Sequence, residues 1–324
     1  MHSGVHGLQK ILITGAAGFL GSHLTKELIR EGHYIIGIDN LSSGRASNIK
    51  DIPQERFIFI EADVCSGEII SLPELSGVKE IYHLASPASP KFYQNLPLET
   101  LEVNITGTKN MLELARKTGA KMVYTSTSEA YGDPLIHPQE ESYRGNVNTW
   151  GPRACYDEAK RAGEVLCYIY YTKYQVPVKV ARIFNTYSAG LANDDGRVIS
   201  NFVTQALKGD DITVYGDGSQ TRSFCYVSDT VKGLILLMEK ETANGEIINI
   251  GNPDEYPIIH VAKLVKTLSR STSKITFHPL PEDDPKLRRP NIAKAQRILG
   301  WTPSITLEKG LKATIEQYGK KLNG

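Results

Sequence analysis

The strongest constraint on this chain lies near its start, where the apolar run Lys10-Ile-Leu-Ile-Thr closes on Gly15 and opens onto a helical pattern. A run of that kind reads as a parallel strand buried on both faces. Leu20, Leu24 and Leu28 then recur at helical spacing, and Tyr34-Ile-Ile-Gly-Ile-Asp39 supplies a second apolar strand that ends in an acid. Glycines at 15, 18 and 21 permit a tight turn, close backbone approach to a pyrophosphate, and close packing of helix on strand. The helix amino terminus, with Phe19 and Leu20, then faces the phosphates. Asp39 stands 18 residues after Gly21, where a carboxylate can bond both ribose hydroxyls and would repel a 2′-phosphate. The expected cofactor is therefore NAD rather than NADP, with Arg45 taken as an exposed loop residue.

Further apolar runs follow at Phe57-Ile-Phe-Ile (Asp63 just beyond), Ile81-Tyr-His-Leu-Ala, Met122-Val-Tyr-Thr-Ser and Val178-Lys-Val-Ala-Arg-Ile. Helical stretches separate them, one carrying the stripe Leu101, Ile105, Leu112 and Ala115. This alternation predicts an α/β fold with a doubly wound parallel (Rossmann) sheet. After about residue 184 the texture changes to mixed segments punctuated by Gly and Pro. The expected division is an NAD-binding region 1–183 with a return segment near 226–250, and a smaller substrate-binding region from 184–225 and 251–324.

Composition narrows the partners. A net charge of +1 over 324 residues, with no basic run longer than Arg288-Arg289 or Lys320-Lys321, gives no field for nucleic acid or a membrane surface. The first ten residues lack the apolar core of a signal peptide, and no later run approaches a membrane span. Cys65, Cys155, Cys167 and Cys225 have no metal-ligand spacing; they suit reduced thiols in a cytoplasmic protein, with no metal site expected. Cys155 is expected to be a packed structural thiol.

Tyr156 and Lys160 stand four apart in a helical segment, which puts a phenol and an ammonium one turn apart on one face. A free phenol titrates near ~10, and a neighbouring cation favours its phenolate. Such a pair can take a proton from a sugar or alcohol hydroxyl.

The glycines at 15, 18 and 21 together with Tyr156 and Lys160 resemble the extended short-chain dehydrogenase/reductase family of nucleotide-sugar enzymes. The resemblance extends through His83-Leu-Ala-Ser-Pro-Ala-Ser-Pro-Lys-Phe-Tyr93, Thr125-Ser-Thr-Ser-Glu-Ala-Tyr-Gly-Asp-Pro134 and Gly151-Pro-Arg-Ala-Cys-Tyr-Asp-Glu158. It continues in Ala181-Arg-Ile-Phe-Asn185, Asp195-Gly-Arg-Val-Ile-Ser-Asn-Phe202 and Asp284-Pro-Lys-Leu-Arg-Arg-Pro290, and is narrowest to the uronate decarboxylases of that family. It implies a UDP-sugar substrate, NAD recycled without net redox change, and a homodimer paired through helices near 93–118 and 152–174. It implies Tyr156, Lys160, Thr127, Glu129 and Arg288 as catalytic residues, Arg288 acting near the uronate. It further implies cofactor contacts from Gly15, Gly18, Phe19, Leu20, Gly21, Asp39, Asn40, Gly44, Asp63, Val64, Leu84 and Asn104. Tyr93, Ser128, Asn185, Arg197, Val198, Tyr215, Arg222 and Arg288 would contact substrate.

Two departures bear on the pocket. The chain has Asn185-Thr-Tyr-Ser-Ala-Gly190 where the family usually reads Asn-Thr-Phe-Gly-Pro, and Asn146 where it usually carries His. Related 4,6-dehydratases usually have Asp where Ser128 stands, and a serine is a far weaker acid. The alternatives are a 4-epimerase, a 4,6-dehydratase, a decarboxylase of an N-acetylated uronate, or a catalytically silent NAD-sensing regulator. An intact Tyr156, Lys160, Thr127 and Glu129 set speaks against the last.

Overall fold

A computed structural model describes residues 7–191, 196–280 and 287–322, apart from the side chain of Lys321. Asp195 and the Asp284-Pro-Lys286 part of the stretches quoted above lie outside the described residues, as do the first six positions. Six strands follow in chain order: β1 (Lys10–Thr14), β2 (Tyr34–Asp39), β3 (Phe57–Glu61), β4 (Glu80–His83), β5 (Lys121–Thr127) and β6 (Val178–Ile183). With the strand Ile247–Ile250 they form one seven-stranded sheet. Its order is Ile247–Ile250, β6, β5, β4, β1, β2, β3, and every pairing is parallel. The chain leaves β1 in both directions, first to β2 and β3, then to β4 and beyond. That is the doubly wound topology.

The sheet is buried on both sides. One face packs with the helix α1 (Phe19–Arg30) and the helix Val227–Glu239, through Leu24, Leu28, Val231 and Leu234. The other packs with the helices Thr108–Thr118 and Ala154–Tyr174, through Met111, Leu112, Cys167 and Tyr170. A third apolar cluster joins the helices Val198–Lys208, Ile258–Leu268 and Leu307–Leu322 around the paired strands Ile212–Tyr215 and Ile275–His278. Ile292, Ala295, Leu299 and Trp301 do not join it; they pack into the first cluster against the sheet.

The stripe expected along residues 101–115 is corrected by the structure. Leu112 and Ala115 are buried, but Leu101 and Ile105 are exposed. The helix Pro97–Glu102 and the helix Thr108–Thr118 are joined by the π-helical turn Val103–Gly107. A π turn inserts an extra residue, so the apolar phase before it is rotated out of register with the phase after it. Among the described residues, no helix is long and apolar enough to cross a membrane.

Candidate active site

A cleft of 590 Å³ opens outside the carboxyl ends of the strands, where β1 and β4 diverge, and a cavity of 140 Å³ adjoins it. The turn after β1 forms its floor. Gly15 has φ +72°, and a Cβ there would lie 2.9 Å from the backbone of Leu84 and Ala85. A Cβ on Gly21 would lie 2.0 Å from the Gly15 carbonyl oxygen. Gly18 caps α1, and its N–H donates to the Gly15 carbonyl at 3.1 Å. Gly15, Gly18, Phe19, Leu20, Gly21 and Leu84 all line the cleft.

Asp39, at the end of β2, lines the smaller cavity with Asn40, Gly44, Asp63 and Val64. The Ala17 N–H donates to its Oδ2 at 3.0 Å and the Leu41 N–H to its Oδ1 at 2.8 Å. Burial raises its carboxyl above the usual range, and these N–H groups act against that rise. Asn40 Nδ2 donates to Asp63 Oδ2 at 3.3 Å. Arg45 is exposed at the rim of the cleft. Asn104 lines neither cavity: it is fully buried, and its Nδ2 donates to Ser86 Oγ at 2.9 Å and to the Thr100 carbonyl at 2.8 Å.

Deeper in the cleft, β5 ends at Thr127 and the helix Ala154–Tyr174 brings Tyr156 and Lys160 to the same wall. The Glu129 N–H donates to Thr127 Oγ1 at 3.2 Å, so Thr127 caps the short turn Ser128–Tyr131. The Tyr93 ring stacks on Tyr156, with centroids 5.0 Å apart and planes within 6°. Cys155 is half-buried, its thiol donating to the Tyr93 carbonyl at 3.5 Å. Asn185, Arg197, Val198, Tyr215 and Arg222 line the rest of the cleft with Ser128.

Two expectations about electrostatics change. Lys160 was expected to lower the Tyr156 phenol, yet the phenol is pushed up to about 12, chiefly by burial. A hydrogen bond from Thr127 pulls it down, Glu129 pushes it up, and Arg197 again lowers it. Lys160 sits 5.9 Å from the Tyr156 ring centroid, donates Nζ to the Thr125 carbonyl at 2.8 Å, and is itself lowered to about 7 by burial. Arg288 was expected beside the sugar, yet it is 1% exposed and does not line the cleft. Its Nη1 donates to the Ser128 carbonyl at 2.7 Å and its Nη2 to Glu129 Oε2 at 3.1 Å, so it backs Glu129 from within.

Glu129 is thus the centre of a charged corner. Arg153 also pairs with its Oε2 and stands 3.9 Å from Asp157 Oδ2. Burial alone would raise Glu129; Arg288, Arg153 and Arg222 overcome it and hold the carboxyl at about 2. Asp157 goes the other way, to about 7, because burial and the charge of Glu129 outweigh Arg153 and Arg288. No group of His, Cys, Asp and Glu that could hold a metal occurs among the described residues.

The model of the NAD dependent epimerase/dehydratase family matches residues 11–251. The chain belongs to this family. UDP-glucuronic acid decarboxylase 1 of Danio rerio is 50% identical over 315 residues, covering 97% of this chain and 73% of that protein. UDP-glucuronic acid decarboxylase 3 of Arabidopsis thaliana is 48% identical over 316 residues, covering 97% and 90%. Among solved structures, the UDP-glucuronic acid 4-epimerase of Bacillus cereus, in complex with UDP-glucuronic acid and NAD, matches with a TM-score of 0.85 at 28% identity, covering 97% of this chain and 100% of that one.

The cofactor of this epimerase/dehydratase family is NAD, and the residues here fit it. The floor of the cleft is shaped so closely that a Cβ at Gly15 or Gly21 would strike backbone, and a buried carboxylate closes the second strand. Arg153 and Asp157 stand in the stretch that carries Tyr156, and no role is expected of either from the sequence alone. The signal was available: Arg153 precedes Tyr156 by three residues, the spacing that puts two side chains on one helical face. The buried pair Arg182–Glu164 at 2.7 Å was also unassigned; Ser126 Oγ donates to Glu164 at 2.6 Å, tying the Tyr156 helix to β5 and β6.

Proposed function

We propose that this protein converts UDP-glucuronate to UDP-xylose by oxidation at C4, loss of C6 as carbon dioxide, and reduction at C4, with no net redox change. The observation that carries this is the corner at Glu129, where Arg153, Arg222 and Arg288 act on one carboxylate beside Tyr156 and Thr127. Guanidinium groups next to a proton-abstracting phenol suit a sugar that bears a carboxylate two carbons from the oxidised centre. The names of the relatives at 48% and 50% identity support the same reading.

NAD, held on the glycine turn and near Asp39, Asn40, Asp63 and Val64, would supply a reversible hydride acceptor. Tyr156 takes the C4 hydroxyl proton, and Thr127, hydrogen-bonded to it, holds the C4 oxygen. Lys160 orients the Tyr156 end of the cleft through its bond to the Thr125 carbonyl. Once C4 is a ketone, the carboxylate is β to a carbonyl. The C5–C6 bonding electrons then pass to O4 as carbon dioxide leaves, and the Tyr156 and Thr127 hydroxyls stabilise the enolate. A solvent proton takes the place of C6 on C5, and Tyr156 returns its proton to O4 as C4 is reduced again. Tyr93, Ser128, Asn185, Arg197, Val198, Tyr215 and Arg222 hold the nucleotide sugar, while Arg288 acts by fixing Glu129.

A 4,6-dehydratase needs an acid for the C6 hydroxyl, and Ser128 supplies none. The chain divides into an NAD-binding region, 1–183 with 226–250, and a substrate-binding region, 184–225 with 251–324. It works as a homodimer, and its four reduced cysteines suit a cytoplasmic setting. Mass spectrometry of the product from UDP-glucuronate tests the assignment. A product lighter by one carbon dioxide is expected; an epimer of unchanged mass would overturn it.

A further inference from the structure

Arg288 backs Glu129 from a segment, 287–292, that is neither helix nor a strand of any sheet, and it stands 159 residues beyond Glu129 in the chain. A guanidinium on such a segment reaches two acceptors at once only if its main chain is held in place. Gln139 holds it. Glutamine is usually a surface residue, yet this one is fully buried, and all four of its polar atoms are bonded. Its N–H donates to the Arg289 carbonyl at 2.8 Å, and its Oε1 accepts from the Arg289 N–H at 2.8 Å. Its carbonyl accepts from the Asn291 N–H at 2.8 Å and from Asn249 Nδ2 at 3.1 Å, while its Nε2 donates to the Ile136 carbonyl at 3.0 Å. From the other side the Ser223 N–H donates to the Arg288 carbonyl at 3.1 Å. Asn249 carries the connection onward, because its Oδ1 accepts from the Tyr131 hydroxyl at 2.7 Å and Tyr131 ends the same short turn that bears Glu129. Gln139 is therefore tied to both members of the Arg288–Glu129 pair.

We propose that Gln139 is a positioning residue for the loss of carbon dioxide, fixing Arg288 and through it the Glu129 carboxylate; this rests on the reaction assigned above, in which Tyr156 and Thr127 serve C4. Gln139 does not line the cleft, so it acts only through the groups it holds. Tyr156 is carried by the helix Ala154–Tyr174 and Thr127 by β5, so oxidation at C4 does not depend on where the segment 287–292 sits. Glu129 does depend on it: its Oε2 accepts from Arg288 Nη2 at 3.1 Å, and the Ser128 carbonyl beside it accepts from Nη1 at 2.7 Å. A buried amide that meets every one of its partners fixes such a contact within tenths of an ångström, and displacement by about 1 Å is enough to slow a step at the reacting centre.

Rapid mixing of the NAD-loaded enzyme with UDP-glucuronate tests this, because the two halves of the reaction have separate readouts. Nicotinamide absorbance follows oxidation at C4, and released carbon dioxide follows the loss of C6. Gln139→Met keeps the length of the side chain and removes its hydrogen bonds. It is expected to retain bound NAD and to form NADH at close to the parental rate, but to release carbon dioxide about 10- to 100-fold more slowly, so that NADH persists. Arg288→Ala is expected to show the same split, and Gln139→Met added to Arg288→Ala is expected to slow carbon dioxide release no further, since residues that act in series are not additive. Should Gln139→Met lose NAD, Gln139→Asn, which keeps the amide one carbon short of its partners, carries the comparison; loss of NAD in both would make Gln139 a residue of the fold alone and overturn the role. An equal fall in oxidation and carbon dioxide release would overturn it too, as would an unchanged split or losses that add in the double variant. A parent that releases no carbon dioxide would overturn the reaction assigned above and this role with it.

Discussion

At the scale of single residues, the corner around Glu129 shows how one buried environment drives two carboxylates apart. Asp157 is buried and Glu129 half-buried, yet three arginines hold Glu129 well below the usual carboxylate range, whereas burial and the charge of Glu129 push Asp157 up to about 7. The sign of the consequence follows from linkage. From the ordinary Asp value up to about 7, the folded chain holds a proton on Asp157 that the unfolded chain has released. The stability this gives is present at low pH and lost as pH rises through about 7. Removing the charge with Asp157→Asn is therefore expected to gain on the parent as pH rises. Denaturant midpoints at about pH 5 and about pH 8 check this, the parent losing stability relative to the variant between the two. A parent that gained on the variant over that window would mean that Arg153 holds Asp157 as a stabilising ion pair, and the account of the corner would be wrong.

At the scale of elements, the turn between β1 and α1 is where backbone, not side chain, makes the site. A Cβ on Gly21 would meet the Gly15 carbonyl oxygen at 2.0 Å, so Gly21→Ala must push α1 away from the turn that cradles the cofactor. Gly67 has open space around it and serves as the control. Denaturing each purified variant and assaying the supernatant for dinucleotide should find NAD released from the parent and Gly67→Ala, and little or none from Gly21→Ala. A full complement of NAD in Gly21→Ala would remove the turn from the cofactor site. This turn was legible in the sequence because buried parallel strands are continuous apolar runs, and because glycine is required where backbones nearly touch. The outward face of residues 97–105 was not. The same Leu and Ile spacing serves an inward or an outward stripe, and the π turn Val103–Gly107 that rotates it is fixed by packing; a Cβ on Gly107 would lie 2.9 Å from the Val64 side chain. Arg288 was legible as part of the site but not its position behind Glu129, since that depends on a contact across about 160 residues of chain.

At the scale of the whole molecule, that rotated stripe offers a surface for the proposed homodimer. Leu98 is 75% exposed, with Leu101 and Ile105 beside it in sequence order on the same helical run. Val165, Tyr168 and Ile169 are exposed on the helix Ala154–Tyr174, which packs against the helix Pro97–Glu102. Two adjacent helices that both turn large apolar side chains to water form a surface that a second copy can cover. A two-fold pairing sets the same patch against itself and makes a four-helix bundle. The same helix carries Tyr156 and Lys160 at its other end, so pairing would also steady the catalytic wall. Sedimentation at micromolar concentration is expected to give twice the mass of one chain. Leu98→Glu combined with Tyr168→Glu, which changes only exposed positions, is expected to give the mass of one chain with NAD still bound. A parent that sediments as a single chain would leave the patch without a partner copy and would sink the dimer. A double variant that stays dimeric would move the pairing surface to another face of the molecule.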